Sequence, residues 1–178
     1  MTPREALKQI LSLTLPAGEN FGDSRVADIA RRGLASGLFQ RGDFTLSSGR
    51  KSHFKIECDA LTDADWAALA ETFFEAYGGG WGSVEGVPRG GLAFARHLSK
   101  YSMTREECLK ARGLYAWVDV LVVDDVATTG NSLRGLAQAF EKQGLTTDCA
   151  VAFSRMNEAS MRAPYPITAM FTTHFGHV

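Results

Sequence analysis

The chemistry-capable side chains of this chain are densest just after a short apolar run. Val120-Leu121-Val122-Val123 is continuously apolar and rich in β-branched residues, the pattern of a strand buried on both faces. It is expected to end at Val123 and to deliver Asp124 and Asp125 at its carboxyl end. Val126-Ala127-Thr128-Thr129-Gly130-Asn131-Ser132 follow, small and hydroxylic residues with one glycine, ahead of a helix starting near Leu133. Successive backbone N–H groups and two or three hydroxyls in such a loop converge on an anion at the positive end of a helix, making a phosphate cradle. The carboxylates cannot hold that phosphate, because ionised they only accept hydrogen bonds. They suit vicinal sugar hydroxyls or the water shell of Mg²⁺. An Asp-Asp pair alone also fits a strand that ends in a turn, with Asp125 as a cap; the whole string asks for a ribose 5-phosphate.

A second loop offers a second anion site. In Gly86-Val87-Pro88-Arg89-Gly90-Gly91 the glycines allow close backbone approach, and the N–H groups act with the Arg89 guanidinium just before a helix. Taken alone, the hexapeptide also fits an ordinary Pro-Gly turn. The string from Val123 to Ser132 closely resembles the signature that binds 5-phosphoribosyl 1-diphosphate in type I phosphoribosyltransferases. That resemblance implies that Asp124 and Asp125 hold the ribose hydroxyls, that Val126 to Ser132 bind the phosphoribosyl group with Thr128 to Ser132 on its 5′-phosphate, and that Pro88, Arg89, Gly90 and Gly91 form the pyrophosphate loop with Lys51. It implies Mg²⁺ as cofactor, reached through substrate and water near Asp124 and Asp125 with no direct protein cage.

The segment Gly42-Asp43-Phe44-Thr45-Leu46-Ser47-Ser48-Gly49-Arg50-Lys51-Ser52 resembles the N-terminal motif of the orotate phosphoribosyltransferases, in which an aromatic pair after the turn lines the base site. Here the pair falls on Phe54 and Lys55, so one aromatic is replaced. Arg50 and Lys51 also fit a solvated turn, and a P-loop is excluded because Gly49 is not followed directly by Lys. Phe153-Ser154-Arg155-Met156-Asn157-Glu158 is similar to the segment whose Arg faces the base, implying base contacts from Phe54 and Arg155; a surface arginine at a strand end is the plain alternative. The resemblance runs from about Ala30 to Glu158 and breaks between Gly91 and Asp119. Orotate enzymes carry a basic, His-containing mobile loop there. This chain has no Lys-x-His-Gly string; it has a helical segment opened by the capping box Thr104-Arg105-Glu106-Glu107, with Arg105, Lys110 and Arg112 on a mixed-charge surface. The shortened segment implies slow turnover, with Lys100 and Arg105 as reserve cations. His97 reads as structural, and His174 and His177 have no motif partners.

The elements that must position these loops follow from periodicity. Arg4 to Leu13 predicts an amphipathic helix ended by Pro16-Ala17-Gly18, and a second helix runs from Asp23 or Ser24 to near Gly37. Asp43 to Leu46 and His53 to Ile56 predict a strand-turn-strand around Ser47 to Gly49. Thr62 and Asp65 make a shortened capping box before a helix to Gly78. Then come strand Gly82 to Glu85, helix Gly90 to Lys100, strand Asp119 to Val123, helix Ser132 to Gln143 and strand Asp148 to Phe153. Such alternation predicts an α/β fold, a central parallel sheet flanked by helices, with ligands outside the carboxyl ends of the strands. No linker divides the chain, so a single phosphoribosyltransferase-like domain over 1–178 is expected, with N-terminal α+β hood elements over about 1–58.

Composition bounds the partners. Lys+Arg 19 against Asp+Glu 20 gives a net charge of -1, leaving no global basic field for nucleic acid. No apolar run reaches the roughly 20 residues of a membrane helix, and the N-terminus lacks a signal-peptide profile, so a cytoplasmic protein is expected. Cys58, Cys108 and Cys149 are odd in number and widely spaced, which predicts reduced thiols rather than disulfides or zinc. The leading expectation is an enzyme, a Mg²⁺-dependent phosphoribosyltransferase acting on orotate in pyrimidine nucleotide biosynthesis, as a homodimer. A phosphoribosyl-diphosphate-binding or regulatory protein, and a purine phosphoribosyltransferase, stay open.

Overall fold

In the computed structural model, residues 29, 37–46, 49, 51–77, 79–112, 116–162 and 165–172 are described. The two helices expected over the first 37 residues lie outside them except for Ile29, helical and buried, and the turn residue Gly37. Ser47, Ser48, Arg50, Gly78, His174 and His177 also lie outside the described residues.

Strands β1 (Phe39–Thr45) and β2 (Lys51–Ile56) pair antiparallel, as the strand-turn-strand pattern requires. Helix α1 (Asp63–Tyr77) then leads to a four-stranded parallel sheet of β3 (Gly80–Gly86), β4 (Trp117–Ala127), β5 (Thr147–Ser154) and β6 (Ile167–Thr172), ordered as in the chain. Parallel neighbours need crossovers. These are α2 (Gly91–Leu98) and α3 (Arg105–Arg112) between β3 and β4, α4 (Asn131–Glu141) between β4 and β5, and α5 (Glu158–Arg162) between β5 and β6. Along β4 the pleat divides the core. Leu121 and Val123 pack with Trp66 and Phe73 of α1, Trp81 of β3 and Phe94 of α2, whereas Val120 and Val122 pack with Leu133 and Ala137 of α4 and Met161 of α5. Helices therefore cover both faces, which is why the run reads as uninterrupted apolar sequence.

Both capping boxes form. Thr62 N–H and Oγ1 donate to Asp65 Oδ2 at 2.9 and 2.8 Å, and Thr104 does the same toward Glu107 Oε2 at 2.7 and 2.8 Å. His97 is buried and structural, its Nε2 lying 3.0 Å from Asp63 Oδ1 and tying α2 to the start of α1. Tyr77 donates to Asp148, fastening the end of α1 to the start of β5; burial and that carboxylate push the phenol up. Cys58, Cys108 and Cys149 are free thiols, all buried.

Two features differ from expectation. The strand predicted to stop at Val123 continues to Ala127, because β5 runs on beside it, Asp124 opposite Val151 and Ala127 opposite Ser154. On its other side β3 gives out at Gly86, opposite Val123. Strand β6 and helix α5 carry too little periodicity to be read, the helix having 5 residues. No helix among the described residues is long and apolar enough to cross a membrane.

Replacing Leu121, 0% exposed at the sheet centre, by Ala should cost about 2–5 kcal/mol, whereas Leu109→Ala on α3, 44% exposed, should cost less than about 0.5 kcal/mol. Urea midpoints of the two variants at unchanged m-value check the difference.

Candidate active site

The unequal ends of β3 and β5 beside β4 create the site. From Asp124 onward β4 has a ladder partner on one side only, so its last residues border a crevice at the carboxyl edge of the sheet. Asp124 and Asp125 stand there half-buried. Local hydrogen bonds hold their carboxyls: Asp125 N–H donates to Asp124 Oδ1 at 2.9 Å, and Val126 N–H donates to Asp125 Oδ1 at 2.7 Å. Desolvation, then the charge of Asp125, raises the Asp124 carboxyl from the usual carboxylate range to about 7. The second carboxyl rests on two close neighbours. A Cβ placed on Gly90 would meet Asp125 Oδ1 at 2.3 Å, so glycine there lets the loop after β3 lie against the carboxyl without displacing it. The Cys58 thiol is the other neighbour; burial, then the Asp125 charge, push it up.

The loop after β3 is tied to β4 by Val87 N–H donating to Val123 O at 2.8 Å. Arg89, exposed, has φ 74°, a left-handed conformation that costs a non-glycine residue roughly 1–2 kcal/mol. Gly90 follows in the right-handed region (φ -62°, ψ -48°) and leads into α2 with no side-chain cap. Consecutive residues of opposite hand aim successive N–H groups to one side, which is the geometry of an anion nest. The loop after β4 ends alike: Gly130, φ 74°, is the N-cap of α4, again without a side-chain cap. Thr128 and Thr129 are half-buried there, and Asn131 and Ser132 are exposed on the first turn.

A residue that sequence patterning missed fixes this second loop. Arg134 donates from Nη1 to Thr129 O at 3.0 Å, from Nε to Tyr165 O at 3.4 Å, and from Nη2 to Ser160 O. One guanidinium thus spans three backbone segments, and a lone mid-helix Arg gives no sign of that in sequence. Cys58 was equally unmarked.

Phe54 and Arg155, 101 positions apart, come together. The Arg155 guanidinium carbon lies 5.6 Å from the Phe54 ring centroid, and its Nη2 donates to Ser52 Oγ at 2.6 Å. Phe39 stacks on Phe54 at 5.9 Å and meets Phe153 edge-on at 6.1 Å, so β1 and β2 lean on the end of β5. Lys55, at the position of the replaced aromatic, is ion-paired with Glu57. Lys51 is exposed at the start of β2; among the described residues no hydrogen bond or ion pair joins it to the Arg89 loop. Arg105, one of the reserve cations, is not at this edge. Met103 N–H donates to Trp81 O at 2.9 Å, Trp117 Nε1 donates to Met103 O at 3.2 Å, and Cys108 of α3 packs on Gly80. Arg105 and Lys110 therefore flank the amino ends of β3 and β4, and Lys100 sits beside His97, past the end of α2.

Two half-buried carboxyls, one with raised affinity for protons, call for a cation or hydroxyl donors. Among the described residues no group of three or more His, Cys, Asp or Glu is placed to cage a metal. Carboxylate oxygens and the water they hold are the donors that Mg²⁺ takes, so the chemistry of the pair fits that ion.

No family model matches the chain. Orotate phosphoribosyltransferase of Aeropyrum pernix is 32% identical over 141 residues, covering 70% of this chain and 75% of that protein. The chain belongs to the orotate phosphoribosyltransferase family. The enzyme of the same name from Methanopyrus kandleri is 34% identical over 131 residues, covering 62% of this chain and 67% of that one. The crystal structure of the Aeropyrum pernix orotate phosphoribosyltransferase superposes with a TM-score of 0.60 at 26% identity, over 81% of this chain and 93% of that chain.

A carboxyl raised in the folded state keeps a proton that the unfolded chain, near pKa 3.9, has lost. Between about pH 4 and pH 7 the folded state binds more protons, and stability falls as pH rises through that window. The ligand-free protein should melt about 5 °C or more lower at pH 8 than at pH 5.5, and Asp124→Asn should remove most of that difference; calorimetry at the two pH values checks it.

Proposed function

We propose that the protein transfers the 5-phosphoribosyl group of 5-phosphoribosyl 1-diphosphate to orotate, releasing pyrophosphate, as a step of pyrimidine nucleotide formation. The observation that carries the reading is the Asp124-Asp125 pair at the end of β4, set between two uncapped, left-handed loops, in a chain of the orotate phosphoribosyltransferase family. Sugar hydroxyls need acceptors in the middle, and a donor with phosphate at one end and pyrophosphate at the other needs N–H groups on both sides.

The roles follow from those positions. Asp124 and Asp125 accept from the ribose 2′ and 3′ hydroxyls, and their charge lies where positive charge grows on the sugar as the bond to pyrophosphate lengthens. Main-chain N–H groups and hydroxyls from Thr128 to Ser132 take the 5′-phosphate at the start of α4, with Val126 and Ala127 leading the strand into that phosphoribosyl-binding run. The Pro88-Arg89-Gly90-Gly91 loop takes the pyrophosphate, with Lys51 at the rim of the hood. Phe54 offers its ring to the base, and Arg155 offers its guanidinium to the base carboxylate. Mg²⁺, reached through substrate and water beside the carboxyl pair, would neutralise the leaving group. The hood, single-domain with the sheet, shields the base from water. We place the enzyme in the cytoplasm as a homodimer, in which the partner supplies cations that α3 cannot supply within one chain.

One observation favours a second reading, a donor-binding protein with little catalysis: the segment between Gly91 and Asp119 puts Arg105 and Lys110 at the opposite edge of the sheet. Losing one charge-assisted contact to a developing anion typically costs about 10²–10³ in rate. Purified protein with the donor, Mg²⁺ and orotate should release pyrophosphate, at well below the roughly 10 s⁻¹ of a median enzyme. Asp124→Asn with Asp125→Asn should abolish both turnover and the donor-induced rise in melting temperature. A donor-induced rise without turnover would favour the second reading, and turnover with hypoxanthine but not orotate would overturn the choice of base.

A further inference from the structure

Arg155 leaves the end of β5 and crosses to the hood, where one of its partners is a serine in β2. The three contacts of that serine exhaust its hydroxyl. Ser52 Oγ donates to Phe54 O at 2.7 Å, accepts from Phe54 N–H at 3.1 Å, and accepts from Arg155 Nη2 at 2.6 Å. A hydroxyl has one proton to give and two lone pairs to fill, so the proton direction is fixed by the backbone of Phe54 and the remaining lone pair points at the guanidinium. The same two-residue step carries Phe54, whose ring lies 5.6 Å from the Arg155 guanidinium carbon and stacks on Phe39. Ser52 thus sets two things at once, the turn of backbone that presents the ring and the plane of the cation beside it.

We propose that Ser52 is a positioning residue for acceptor selection: it orients Arg155 against the Phe54 face so that an aromatic ring bearing a carboxylate is preferred over the same ring without one. The inference rests on the proposed transfer to orotate. An arginine on a flexible stem recognises a carboxylate well only when its planar fork is held in place beforehand, because otherwise binding must also stop its rotation. Ser52 acts through Arg155 and Phe54 and touches neither the carboxyl pair nor the phosphate loops in this structure.

The test compares wild type, Ser52→Ala and Ser52→Thr. Alanine removes the acceptor for Nη2; threonine keeps the hydroxyl and suits a strand. Ser52→Ala should raise the KM for orotate on the order of tenfold, the size expected for one hydrogen bond to a charged group, and lower the preference for orotate over uracil to a similar extent. Donor KM and melting temperature should be unchanged, and Ser52→Thr should restore the orotate KM to within about threefold of wild type. An unchanged orotate KM in Ser52→Ala would overturn the proposal, as would an equal rise in donor KM or a loss explained by a lower melting temperature. If wild type transfers nothing to orotate, the proposed function fails by that result alone. The positioning role is then read from the nitrogen NMR signals of Arg155: faster rotation about its Nε–Cζ bond in Ser52→Ala supports it, and unaltered rotation overturns it.

Discussion

Two carboxyls on adjacent residues of one strand, half withdrawn from water, repel each other, and the structure around β4 keeps them there. Their position depends on a mismatch of strand lengths. Strand β5 supports β4 as far as Ala127, while β3 stops at Gly86 and turns away into the Arg89 loop. Both sides are needed. Without β5 the pair would sit on an unsupported loop, and with a longer β3 the crevice beside the pair would be closed. Several kcal/mol of core burial on the two faces of β4 hold a local arrangement that is unfavourable in isolation. A substrate that brings hydroxyls and a cation relieves that repulsion, so the energy of holding the pair empty is recovered on binding.

Much of this was legible in the residues themselves. The run Val120 to Val123 is apolar throughout because helices cover both faces of the sheet, and the capping boxes at Thr62 and Thr104 formed as their spacing requires. Phe54 and Arg155 were readable only through a family likeness, since nothing local in either segment shows that a β2 side chain meets the end of β5. The extra residues of β4 were missed for a related reason. Asp124 and Asp125 look like the start of a loop by composition, and what keeps them extended is the neighbouring strand. Arg134, Cys58 and Ser52 were not singled out for the same cause: each acts on segments distant in the chain, and residue type alone carries no trace of that. The glycines of the loops after β3 and β4 were legible because tight turns into a helix call for small residues and glycine in consecutive order.

The cations tell a different story. Sequence proximity placed Lys100 and Arg105 a few residues beyond the Arg89 loop, yet α2 carries the chain back across the sheet before they occur. Proximity along a chain is lost over a single helix of a parallel α/β fold, since each crossover begins at one edge and ends at the other. Among the described residues, Arg89, held in a left-handed backbone, is a cation that the loop after β3 does keep at the carboxyl edge.

The grip of Arg134 also orders events in time. Its helix begins at Asn131, but two of the three carbonyls it holds belong to Ser160 and Tyr165, which are synthesised later. As the chain leaves the ribosome, α4 can form and pack on β4 while the loop before it still lacks two of its tethers. The loop between β4 and α4 gains its last tether only when the segment entering β6 docks. The nascent chain can therefore assemble β3, β4 and β5 before the loop ahead of α4 is fully tied, and a chain that stalls before Tyr165 would lack both β6 and that tether.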